Sequence, residues 1–181
     1  MHRDSILHLL DTYSTTDIPE KLMVSETINF VKANTECFSR QLLAGHLTGS
    51  GWIVNKERTH ALLIHHFKID KWFQPGGHCD GCPDVLSVAI KESIEETTLQ
   101  VTPVFNSIFD VDIHTISARA GVPEHLHYDI RFLLESDRNS HIFNLNREVK
   151  AIEWVKLETI THYNNSPSII RMVNKTLNLK Q

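Results

Sequence analysis

Between residues 52 and 97 the hydrophobic period changes twice, and this stretch limits the fold more than any other. Trp52-Ile53-Val54 and Ala61-Leu62-Leu63-Ile64 are short apolar runs, and the polar Asn55-Lys56-Glu57-Arg58 between them reads as the turn of a β-hairpin. Gln74-Pro75-Gly76-Gly77-His78-Cys79-Asp80-Gly81 is rich in turn formers. Pro83 suits a first helical turn, so a helix is predicted from there to Thr97. A hairpin, a glycine loop and a helix in this order call for a sheet with a helix packed on it.

The flanks extend the pattern. Residues 1–45 read as helical: Ile6, Leu7, Leu9, Leu10 and Tyr13 form a stripe, and a second helix starts at Asp17 as N-cap, with Glu20 three residues on as in a capping box. Ile28, Val31 and Phe38 would face the core. Val101 to Ile116, Leu126 to Leu134 and Val149 to Val155 read as strands, and Ser166-Pro167 opens a last helix carrying Ile169, Ile170, Val173 and Leu177. Hairpin-joined strands on either side of one central helix predict an α/β chain with a mixed sheet flanked by helices, not a doubly wound parallel sheet.

At 181 residues the chain has the length of one domain. Its 41% hydrophobic and 22% charged residues are ordinary for a folded globular protein. A net charge of -4 lacks the basic surplus that a phosphate backbone rewards, so long nucleic acids are not expected partners. No run approaches the roughly 20 apolar residues of a membrane span, and the broken apolar start does not resemble a signal peptide. A cytoplasmic location with no membrane partner is therefore expected. Three cysteines, Cys37, Cys79 and Cys82, are an odd number that fits a reducing compartment.

The chemistry concentrates on the predicted central helix. At about 100° per residue, Glu92, Glu95 and Glu96 share roughly a third of its circumference, beside an apolar arc of Leu86, Ala89 and Ile90. Like charges so spaced oppose one another, and a hard divalent cation such as Mg²⁺ would relieve them while leaving positions for substrate phosphates. Glycines just upstream allow backbone to approach a metal or phosphate closely. Spacing alone is equally that of a solvated acidic face.

This stretch resembles the Nudix box, G-x5-E-x7-R-E-U-x-E-E-x-G-U, where U is a bulky aliphatic residue. Gly77, Glu92, Glu95, Glu96 and Leu99 match it; Pro83, Lys91, Ser93 and Thr98 stand where the pattern has Glu, Arg, an aliphatic residue and Gly. Gly45-His46-Leu47-Thr48, Trp72 to His78, Asp110 to His114 and His125 to Asp129 are similar to a bacterial subgroup of the same family. The resemblance implies a Nudix α/β/α sandwich over residues 46–181, preceded by a helical extension over 1–45. It implies a metal-dependent hydrolase of a pyrophosphate bond in a small molecule linked to a nucleoside diphosphate. Glu92, Glu95 and Glu96 would be catalytic and would hold Mg²⁺ or Mn²⁺, with a carbonyl of Gly76 as a further ligand. Lysine cannot reproduce arginine's planar clamp on the first glutamate, and Asp84 is the nearest replacement for the Glu absent at Pro83. Glu92, or outside the box Glu124 or Asp129, would act as general base. A non-catalytic nucleotide-binding domain and an enzyme like isopentenyl diphosphate isomerase, which would use Cys79, are the alternatives. A homodimer is left open.

Two further segments alternate. His125, His127, Asp129 and Arg131 share one parity, against Leu126, Tyr128 and Ile130; Asp110, Asp112 and His114 do the same. As paired strands they would line a cleft for a nucleotide-like substrate or carry a separate zinc or manganese ion, although alternation is also what a solvent face shows. Trp72, His114 and Tyr128 complete the set of candidate substrate contacts. Arg40, Lys68 and Lys71 are candidate phosphate contacts. Cys79 and Cys82, spaced C-x-x-C, are a single pair and too few for a structural zinc.

Overall fold

The computed structural model describes residues 2–67, 69–119, 121–140 and 149–179. The elements in chain order are α1 (Asp4–Thr12), α2 (Ile18–Ala33), β1 (Gly45–Val54), β2 (His60–His66), β3 (Lys71–Phe73), β4 (Gly76–His78), α3 (Val85–Thr97), β5 (Thr102–Pro103), β6 (Asp110–Ile116), β7 (His125–Glu135), β8 (Val149–Lys156), a 3-10 turn (Ile160–His162) and α4 (Pro167–Asn178). The class is α/β, with a mixed sheet flanked by helices, as predicted. No helix among the described residues is long and apolar enough to cross a membrane.

Contacts divide the chain into two compact units: one within residues 1–50, 76–89 and 106–132, the other within 51–75, 90–105 and 133–181. In the first, β1 pairs with β4 antiparallel, Thr48 opposite His78 and Ser50 opposite Gly76. β6 pairs with β7 over seven positions, from Asp110 opposite Arg131 to Ile116 opposite His125. α2 packs on β6 through a buried carboxylate. Asp17 caps α2 by accepting from the Glu20 amide at 2.8 Å, as its position predicts. The Glu20 side chain does not close a capping box: fully buried, it accepts from the Tyr13 hydroxyl at 2.7 Å and from the Val111 amide of β6 at 3.0 Å. Phe30 of α2 stacks on Tyr128 of β7, ring centroids 4.0 Å apart. Ile6, Leu10, Val31, Phe38, Leu47, Val111 and Ile130 fill this core.

In the second unit β2 pairs with β8 from His60 opposite Lys156 to His66 opposite Val149, and on its other edge with β3. The end of β1 meets β2 at Val54 opposite Ala61, closing the predicted hairpin. β5 pairs with the end of β7. α4 is tied down where Trp52 Nε1 donates to Thr176 Oγ1 at 2.9 Å. Trp52, Ile53, Leu62, Leu63, Leu99, Leu133, Leu134, Ile169 and Met172 are buried to within 1%. Each such large side chain contributes on the order of 2 to 3 kcal/mol of transfer free energy.

Four predicted boundaries change. Helix does not continue to residue 45; α2 stops at Ala33, and turns lead into β1. Val101 to Ile116 is two strands: β5 ends at Pro103, the Val104 amide makes one more bond to the Leu133 carbonyl at 3.0 Å, and the chain then turns before β6 begins at Asp110. The glycine loop contains a strand, β4, since Gly76 to His78 lie against β1. α3 begins at Val85 and not at Pro83, because Asp84 is its cap: one carboxylate oxygen accepts from the Ser87 amide at 3.1 Å and the other from the Ser87 hydroxyl at 2.6 Å.

Candidate functional site

α3 presents the three carboxylates within the second unit. Lys91 Nζ lies 3.2 Å from Glu92 Oε1 and 2.9 Å from Glu95 Oε2, so one ammonium draws two acids together. The Lys91 side chain is 61% exposed and is held cationic by both partners, Glu95 first. Glu92 is half-buried, Glu95 exposed and Glu96 buried on the flank of the helix. Where the resemblance expects an arginine, a flexible point charge takes up this position and leaves no planar clamp.

The other departures from the box also have local causes. Ser93 is fully buried, and a Cβ placed on Gly51 would come within 2.2 Å of Ser93 Oγ. The helix therefore lies so close to β1 that an aliphatic residue at Ser93 would meet strand backbone. Thr98 keeps the left-handed conformation, φ +62°, that a glycine would adopt at the end of α3, and its amide donates to the Ile94 carbonyl at 2.8 Å. Asp84 is spent on its cap.

Gly76 lies in the first unit, in β4 opposite Ser50. Arg40 closes over the following loop with two nitrogens on the Asp80 carboxylate. Cys37 and Cys79 are buried: desolvation pushes the Cys37 thiol up to about 11 and raises Cys79 well above the usual thiol range. Lys68 lies outside the described residues; Lys71 is exposed on β3.

On β6 and β7 the predicted alternation appears, and the polar face divides in two. At one end Arg131, 4% exposed, donates through Nε to Asp129 Oδ2 at 2.7 Å, through Nη1 to Asp110 at 3.2 Å and through Nη2 to Asp112 at 3.1 Å. Asp129 Oδ1 accepts from the hydroxyls of Thr48 and Ser50 at 2.9 and 2.7 Å. These groups are occupied with one another inside the protein. Tyr128 points to the opposite face, against Phe30.

At the other end the imidazoles gather. His127 stands opposite His114 in the ladder, their ring centroids 5.4 Å apart, and His114 Nδ1 lies 3.3 Å from Asp112 Oδ2. His46 of β1 lies 5.1 Å from His125, 4.8 Å from His127 and 5.0 Å from His78 between centroids. Desolvation, reinforced by neighbouring rings, lowers His127 to about 2; desolvation with Arg40 and His46 lowers His78 to about 4. His46 is lowered too, by burial first and then by His125. Burial therefore disfavours the charged form of His46, His78 and His127. His46 was not predicted as a site residue. The available signal was the alternation His46-x-Thr48-x-Ser50 along β1, which repeats the polar parity of its neighbours.

Trp72 lies in the second unit on β3, stacked on His65 with centroids 4.9 Å apart and met edge-on by Tyr163. A separate cavity of about 560 Å³ is lined by Asn55, Glu57, Gln100, Glu135 and Arg138 and contains none of the candidate site residues. Glu124 is exposed ahead of β7.

The family model for the NUDIX domain matches residues 46–174. No curated protein matches the sequence. Among solved structures, the chain is similar to an Ap4A hydrolase binary complex from C. elegans (TM-score 0.59, 17% identity, 74% of this chain and 96% of that one). It is similar to a NUDIX family hydrolase from Clostridium perfringens (TM-score 0.54, 23% identity, 74% and 97%). A UDP-X diphosphatase structure covers 99% of this chain and 94% of its own length, at 16% identity and a TM-score of 0.54. At these identities the likeness is one of fold.

Proposed function

Because the chain belongs to the Nudix hydrolase family, we propose that it hydrolyses a pyrophosphate bond in a small molecule built on a nucleoside diphosphate. Glu92, Glu95 and Glu96 would hold the Mg²⁺ or Mn²⁺ that the reaction uses. The supporting observation is the bridging of Glu92 and Glu95 by one cation, Lys91 Nζ, at 3.2 and 2.9 Å. Two carboxylates that reach the same ammonium lie on one side of α3, and carboxylate oxygens are the donors that a small hard cation prefers.

An ion held by Glu92, Glu95 and Glu96 would supply polarisation of the pyrophosphate and a more acidic water. The chain's own residues do the rest. Glu92, whose side chain is 21% exposed, carries the carboxylate we assign as general base, to accept the proton of the attacking water. Lys91 offsets the mutual repulsion of the carboxylates before an ion arrives and has the length to swing away when one does.

The test is release of a nucleoside monophosphate from a panel of nucleotide sugars, dinucleoside polyphosphates and cofactor diphosphates, with and without Mg²⁺ or Mn²⁺. Ap4A and UDP-linked compounds belong in it because two proteins of this fold carry those names. Metal-dependent release that disappears in Glu95→Gln/Glu96→Gln, with an unchanged circular dichroism spectrum, is expected. Turnover without metal, or undiminished in the double variant, would refute the assignment. A nucleotide that raises Tm and is never consumed would instead identify a binding domain. The isomerase reading loses support because Cys79 is buried with its thiol held protonated.

A further inference from the structure

His46, His125 and His127 lie within the first unit, and each offers one ring nitrogen such that the three lie within 4.8 Å of one another. We infer that these three imidazoles form a binding site for a borderline divalent transition metal, Zn²⁺ foremost. Its donors are all nitrogen, unlike the oxygen donors of α3.

The argument starts from satisfaction. His46 is 2% exposed, and neither of its ring nitrogens has a hydrogen-bond partner of ordinary geometry; His127 Nε2 is likewise buried and unpartnered. The Leu42 backbone also faces the His46 ring and favours its charged form, against burial and His125. Buried polar atoms are nearly always paired, so two adjacent imidazoles with bare nitrogens call for a ligand. Close approach of the strands is built in: a Cβ on Gly45 would fall 2.6 Å from the Leu126 carbonyl, so only glycine lets His46 come this near His125 and His127.

The tautomer of His125 agrees. Its Nδ1 lies 2.9 Å from the Pro123 carbonyl, which can only accept, so Nδ1 carries the proton and Nε2 presents a lone pair. A ring N–H anchored to a carbonyl is the usual support of a metal-bound histidine.

Donor type selects the metal. Imidazoles suit Zn²⁺, Cu²⁺, Ni²⁺ and Fe²⁺, whereas Mg²⁺ takes oxygen. Zn–N bonds of about 2.0 to 2.1 Å require each ring to close inward by roughly 1 Å, a side-chain adjustment. Three histidines leave the fourth position open, and His78, 5.0 Å from both His46 and His127, stands beside it.

To test this, the untagged full chain is stripped with chelator, incubated with Zn²⁺, desalted and analysed for metal by mass spectrometry. One zinc per chain is expected. His125→Ala and His127→Ala should each cut retention by at least about tenfold. His8→Ala and His162→Ala, at exposed positions, should not. Should His46→Gln fail to fold, the His125 variant carries the test, since that side chain is only half-buried. Replacing Zn²⁺ by Co²⁺ should give the strong visible bands of a four-coordinate site, absent in His127→Ala. Zinc retention should persist in Glu95→Gln/Glu96→Gln whether or not that variant turns over substrate, so this site and the hydrolase reading fail separately. Wild-type retention no higher than that of His125→Ala, or loss of zinc in the glutamate variant, would overturn the site; in the first case the histidines hold water alone.

Discussion

Asp129 and Arg131, two residues apart on the same face of β7, are joined by a 2.7 Å bond from Nε to Oδ2 with side chains only 3% and 4% exposed. Asp110 and Asp112 add two more carboxylates to the same guanidinium. Removing this guanidinium would leave Asp110 and Asp129 buried close together as like charges. Arg131→Met is expected to cost at least about 3 to 5 kcal/mol in urea unfolding. Asp112→Asn, at the more accessible edge, should cost clearly less. Equal, small losses in both would show that water reaches the cluster.

Glu20 is predicted to fasten α2 to β6. Glu20→Ala removes the acceptor of the buried Val111 amide and of the Tyr13 hydroxyl. It should lower stability by about 3 kcal/mol and speed hydrogen exchange at Val111. An unchanged Val111 exchange rate would contradict the tie.

Thr98 should be a site of stored strain. A β-branched residue at φ +62° is in the left-handed region, which costs about 1 to 2 kcal/mol for a residue with a Cβ. Thr98→Gly is expected to raise stability by about 1 kcal/mol, read as a higher Tm with circular dichroism unchanged. Destabilisation would mean that the threonine side chain supplies more than its backbone loses.

Cys37 and Cys79 should resist thiol reagents in the native state. Burial raises both pKa values, Cys37 to about 11, so the reactive thiolate is scarce at pH 8 and grows only as the pH climbs toward those values. Ellman's reagent should label at most Cys82 in the folded chain and all three cysteines in guanidinium. Rapid native labelling of Cys79 would sink this prediction and reopen a role for its thiol.

Much of the chain was legible because local periodicity is written locally. Strand parity along His125 to Arg131 and along Asp110 to His114, the Asn55 to Arg58 turn, the Asp17 cap and the glutamates of α3 all depend on neighbours a few residues away. The box resemblance added the family. What tertiary structure alone decided is which of those polar residues meet one another. The Glu20 carboxylate finds an amide 91 positions on, and Asp129 finds hydroxyls 81 and 79 positions back. One alternating face thereby became a buried charge cluster at one end and a group of close-packed histidines at the other. His46 joined that group only because β1 and β7 come close enough at Gly45. Sequence order sets which face a side chain takes, but partners far apart in the chain are chosen by packing, and packing fixes whether a charge or an imidazole is buried, paired or left with a bare nitrogen.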